Sequence, residues 1–162
     1  MPREPELANV LVPQRVLILD SKTKRDALLV LTDCLGTAPE IEDRDALTQG
    51  IFYREELMST GIGMGIAVPH VRLASVTGPV MCAGLCRNPI TDYQSLDGIP
   101  VHLIFMIAAG QNQHAEHLKL LSSLSLKLKC EKLRNALISA PDTLAFYHTL
   151  VSPVRHAAEQ EK

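Results

Sequence analysis

Apolar residues fall along this chain in short grouped runs between polar turns, and the period of each run predicts an element. Val16-Leu17-Ile18-Leu19, closed by Asp20, reads as a short strand. Ser21 is placed to cap a helix ending near Leu35. In that helix Ala27, Leu28, Leu31, Cys34 and Leu35 share one face before Gly36 stops it, and Lys22, Lys24, Arg25 and Asp26 take the solvated side. Pro39 opens a second helical segment over about 41–58, with a break expected near Gly50 and Arg54 in its last turns. Ile66-Ala67-Val68 begins a buried strand that Pro69 should finish, because proline fixes φ and has no N–H to give to a ladder. A strand over about 79–86 and a loop rich in turn residues (Asn88, Pro89, Asp92, Asp97, Gly98, Pro100) come next. They lead to Val101–Ala109, a run apolar on both faces that belongs in the middle of a sheet.

After the turn Gly110-Gln111-Asn112-Gln113 the pattern returns to helical period from His114 to about Lys129. Positions 117, 121, 124 and 128 share one face, so His117 heads a stripe of Leu121, Leu124 and Leu128 and points inward, while His114 at the helix start is expected to be exposed. His102 sits within the apolar strand. Two short helices, over about 131–139 and 142–151, complete the pattern, the second opened by Pro141-Asp142. Polar ends at 1–5 and 152–162 are expected to be flexible, which leaves 6–151 as the folded unit. The succession predicts a single α/β domain, a mixed sheet of about five strands flanked by helices on both faces.

Composition narrows the partners. At 162 residues the chain is one domain by size, and its net charge of −2 carries no basic stripe, which excludes a nucleic-acid footprint and favours a protein or a small anion. The longest apolar runs fall short of the roughly 20 residues of a membrane span. Cys34, Cys82, Cys86 and Cys130 show no C-x-x-C spacing, and the N-terminus lacks the apolar run of a signal peptide, so reduced thiols and a cytoplasmic location are expected. Cys82 and Cys86 read as buried small side chains, a zinc pair with histidines being the weaker alternative.

The candidate chemistry gathers in Ser59-Thr60-Gly61-Ile62-Gly63-Met64-Gly65-Ile66-Ala67-Val68-Pro69-His70. Alternate glycines let backbone amides converge on an oxyanion, and His70 follows at a strand end. A glycine turn before a strand is common, and neither the Walker nor the dinucleotide spacing is present. Arg54, Ser59 and Thr60 just upstream add a guanidinium and two hydroxyls.

Arg54-Glu55, Ser59-Thr60, the alternate glycines, Ala67 and Pro69-His70, followed by Asp97-Gly98-x-Pro100-Val101 and His117-Leu118-Lys119-Leu120-Leu121, resemble the enzyme IIA domain of the bacterial sugar phosphotransferase system. The class is the fructose/mannitol/nitrogen-regulatory one, and the likeness covers about residues 5–150. Periodicity alone makes His117 a satisfied core histidine; the resemblance makes it the second active-site histidine. It implies that His70 accepts a phosphoryl group from phospho-HPr and passes it to an enzyme IIB cysteine, with Arg54 and His117 as accessory groups. Ser59, Thr60, Gly61, Gly63 and Gly65 would hold the phosphoryl oxygens, and Ile62 and Met64 would form an apolar docking rim. No metal, nucleotide or other cofactor is implied. Two alternatives remain open: a regulatory module in which the phosphorylation state of His70 gates binding to target proteins, and a metal site built from His70, His117 and a carboxylate.

Overall fold

The computed structural model describes residues 7–152, so the expectations for 1–5 and for all of 152–162 except Ser152 lie outside the described residues. Strands β1 (Val16–Leu19), β2 (Gly61–Gly63), β3 (Ile66–Ala67), β4 (His70–Leu73), β5 (Val80–Ile90) and β6 (Val101–Gly110) form one mixed sheet. Helices α1 (Lys24–Leu35), α2 (Arg44–Leu57), α3 (His114–Leu128), α4 (Glu131–Ile138) and α5 (Thr143–Val151) cover both of its faces.

The order is β1-β5-β6-β3-β2, with β4 also on β6. β5 and β6 run antiparallel from Val80↔Ala108 to Leu85↔Leu103, β1 lies parallel to β5, β3 and β4 lie parallel to β6, and β2 pairs antiparallel with β3. As the apolar run predicts, β6 is central and buried on both faces. Strand alternation sends Ile104, Met106 and Ala108 toward a core with Leu28, Leu31 and Ile51 of α1 and α2. It sends Leu103, Phe105 and Ile107 toward a second core with Leu120, Leu124 and Phe146 of α3 and α5. Cys82 and Cys86 are buried in the first of these, small side chains as expected.

Several boundaries differ from the sequence reading. Thr23, not Ser21, caps α1, its Oγ1 accepting from the Asp26 amide at 3.2 Å. Helix α2 starts at Arg44 because Asp43 caps it, Oδ1 accepting from the Ala46 amide at 3.0 Å. It also runs unbroken through Gly50. There the missing side chain serves packing: a Cβ would stand 3.0 Å from Val71 Cγ2 and 3.4 Å from Leu73 Cδ2, so glycine lets α2 close on β4. β5 continues to Ile90, past the predicted end, through a register irregularity between Leu85 and Ile90 that accommodates Pro89.

The sheet has six strands because Pro69 interrupts a strand without ending it. β3 pairs with Leu103 and Ile104, the Pro69 carbonyl accepts from the Ile107 amide at 2.9 Å, and β4 resumes on the same edge with His70↔Ile107. Among the described residues no helix is long and apolar enough to cross a membrane.

Candidate active site

His70 opens β4, half-buried, immediately after the rigid Val68-Pro69 step. Its Nδ1 lies 2.7 Å from the Val68 carbonyl oxygen. A carbonyl only accepts, so this contact assigns the ring proton to Nδ1, and in the neutral imidazole Nε2 is left with a free lone pair. The ring is thereby held in one orientation, with Nε2 as the nitrogen that carries the lone pair.

His117, in the first turns of α3, is 4% exposed, and its ring centroid stands 5.4 Å from that of His70. Burial lowers its pKa to about 4, aided by the nearby charges of His70, Arg72 and His114, so it is neutral at physiological pH. Its Nδ1 is buried without a hydrogen-bond partner among the described residues.

Both rings line a cavity of about 470 Å³ that wraps the free edge of β4 between α2 and α3. Arg54 of α2, Arg72 of β4 and His114 of α3 line it too, and no carboxylate does. Such a bowl of guanidinium and imidazole groups favours an anion. Tyr53, Leu57 and Leu118, more than half exposed, give it an apolar margin.

Residues 10–152 match the family model described as "Phosphoenolpyruvate-dependent sugar phosphotransferase system, EIIA 2". The chain belongs to this EIIA family. It is 42% identical over 124 residues to a PTS system fructose-specific EIIABC component of Bacillus subtilis, covering 76% of this chain and only 19% of that protein. It is 34% identical over 148 residues to a nitrogen regulatory protein of Pseudomonas aeruginosa, covering 90% of this chain and 94% of that one. The crystal structure of nitrogen regulatory protein IIA-Ntr from Neisseria meningitidis superposes with a TM-score of 0.82 at 26% identity, covering 89% of this chain and 98% of that one.

Three of the EIIA site residues expected from sequence, His70, His117 and Arg54, meet in the one cavity. Arg54 is anchored there by its own helix end, Nη1 donating to the Met58 carbonyl at 3.2 Å. The glycine turn goes elsewhere: none of Ser59, Thr60, Gly61, Gly63 and Gly65 lines the cavity. Thr60 is buried, its hydroxyl 2.8 Å from the Tyr93 hydroxyl and its amide donating to Glu55 Oε1 at 3.2 Å. The Ser59 hydroxyl accepts from the Gly61 amide at 3.3 Å, and the Met64 amide donates to Asp97 Oδ2 at 2.8 Å. That bond is the first cause of the lowered Asp97 pKa. At Gly61 a Cβ would collide with the Gln94 carbonyl, so glycine is required there by close backbone approach.

The turn reaches the cavity at one remove. The Thr60 carbonyl accepts from the Val68 amide at 3.0 Å, and Val68 is the residue whose carbonyl holds His70. Ile62 and Met64 are exposed and do not line the cavity. His114 is exposed and lines the cavity, whereas His102 does not. Among the described residues no group of three or more His, Cys, Asp or Glu is placed to hold a metal ion.

Sequence reasoning passed over Arg72. The signal was present: His70-Val71-Arg72-Leu73 alternates polar and apolar, the pattern of a half-buried strand, and strand period puts Arg72 on the face of His70.

Proposed function

We propose that this EIIA domain carries a phosphoryl group on Nε2 of His70, taken from the phosphohistidine of an HPr-like protein and passed to a cysteine of an enzyme IIB. The observation that carries the reading is the bond from His70 Nδ1 to the Val68 carbonyl, which leaves Nε2 as the nucleophile in a cavity lined by Arg54 and His117. Its occurrence in a family whose relatives include a fructose-specific EIIABC component supports it further.

In the forward step the Nε2 lone pair attacks phosphorus in line while the donor's N–P bond breaks and its electron pair returns to the donor ring. His70 keeps its Nδ1 proton, so the product ring is an imidazolium still donating to Val68. When an IIB thiolate attacks, the N–P pair returns to Nε2 and restores the starting tautomer, so no proton has to move at His70 in either direction. Arg54 offsets phosphoryl charge, and neutral His117 supplies an N–H without adding a cation. The phosphate-holding part expected of residues 59–65 becomes support of Val68, and the exposed margin of the cavity serves as the docking rim.

The deciding experiment is incubation with phosphoenolpyruvate, enzyme I and HPr. One acid-labile, base-stable phosphoryl group should appear, and none in His70→Ala. Undiminished labelling of that variant would remove the reading. A second reading keeps the same chemistry and makes the phosphorylation state of His70 a gate for binding regulatory proteins; the likeness to the nitrogen regulatory protein over 94% of that protein's length favours it. Phosphotransfer from the labelled chain to a fructose-class IIB separates the two. Both readings place the domain in the cytoplasm with its soluble donors.

A further inference from the structure

We propose that Arg72 is a further catalytic residue, its guanidinium touching the phosphoryl oxygens on His70 from the α3 side while Arg54 touches them from the α2 side. The inference rests on the His70 reading above.

The placement follows from the sheet. His70 and Arg72 are paired with Ile107 and Ala109 of β6 and stand on one face of β4, the face where His70 meets His117 of α3. Val71 and Leu73 take the opposite face and pack on the core that includes Leu47 and Ile51 of α2. Arg54 enters from α2, so the two guanidinium groups reach the cavity from opposite sides of the strand that carries the nucleophile.

The chemistry of the cavity supports a ligand for Arg72. Its guanidinium makes no hydrogen bond or ion pair among the described residues, and the cavity lining offers it no carboxylate. Its neighbours there are Arg54, His70, His114 and His117, groups that repel its charge or leave it uncompensated. A dianion at Nε2 supplies the missing partner, and an arginine fork matches two phosphoryl oxygens at once. The charge on Arg72 also helps keep His117 neutral, which places the two groups within electrostatic reach.

A small phosphoryl donor separates this role from a docking role. With phosphoramidate in its nitrogen-protonated form, the Nε2 lone pair attacks phosphorus, the P–N bond breaks, and ammonia leaves with the electron pair; no partner protein takes part. The full chain, Arg72→Gln, Arg72→Lys and His70→Ala are compared for labelling rate. The unphosphorylated proteins are also titrated with inorganic phosphate while the ring resonances of His70 and His117 are followed. Arg72→Gln should label roughly 10- to 100-fold more slowly, the loss of one charge-assisted bond, and bind phosphate more weakly, with Arg72→Lys recovering part of both. Wild-type labelling and phosphate binding by Arg72→Gln overturn the proposal, and so does a defect confined to the HPr-dependent reaction, which makes Arg72 a docking residue. Failure of the wild-type chain to label on His70 with either donor overturns the underlying reading instead.

Discussion

His70 and His117 face one another at a centroid distance of 5.4 Å with their planes tilted by 59°, and the two rings are held by opposite means. His70 is fixed by a hydrogen bond to Val68, His117 by burial without one at Nδ1. Long-range ¹H–¹⁵N correlation should find His70 protonated at Nδ1 and bare at Nε2. The reverse tautomer would remove the basis for Nε2 as nucleophile.

The lowered pKa of His117 makes stability depend on pH in a defined window. In the unfolded chain this ring takes a proton near its ordinary value of about 6.5. In the folded protein it resists until about 4. The unfolded state therefore binds more protons between these values, and stability falls as pH drops from about 6.5 to 4, by up to about 3 kcal/mol for this group. His117→Gln should flatten that part of the profile. Urea midpoints measured across the window check it, and an unchanged slope would show that other groups set it.

Arg54 and His117 act on the transition state in the proposed transfer. Arg54→Gln and His117→Ala should each slow HPr-dependent labelling by about 10²–10³ while leaving circular dichroism intact, the loss typical of one preorganised donor. Wild-type rates in both would return them to a structural role.

Thr60 separates support from phosphate binding. Thr60→Val leaves the buried Tyr93 hydroxyl without its 2.8 Å partner, a cost of about 1–3 kcal/mol. Because Thr60 does not line the cavity, the folded variant should still label at a rate near wild type. Loss of labelling by a hundredfold with little loss of stability would put Thr60 back among the phosphate contacts.

Gly50 ties the helix to the strand that carries His70. Gly50→Leu should destabilise the domain by about 1–3 kcal/mol through overpacking against Val71 and Leu73, and should also slow labelling because β4 must shift. Val71→Ala in the same chain should recover part of both losses. A purely additive double mutant would mean that the two side chains do not meet.

Much of this protein was decided by local rules that its sequence states openly. Continuous apolar character placed Val101–Ala109 at the centre of the sheet, helical period turned His117 inward, and the Pro69-His70 step left His70 at a strand boundary, because period and φ restriction act within a few residues. Long-range pairing settled the rest. β4 forms because β6 offers a second stretch of edge beyond Pro69, and that pairing brings the face shared by His70 and Arg72 up to α3. The Thr60 hydroxyl and the Met64 amide found Tyr93 and Asp97, each 33 residues away, and so were drawn out of the anion cradle that their spacing suggests. Gly50 reads as a helix break in one dimension and is a packing surface in three. A polar group's partner and a glycine's neighbour depend on which distant segment lies across from them, and that is a property of the assembled sheet and helices.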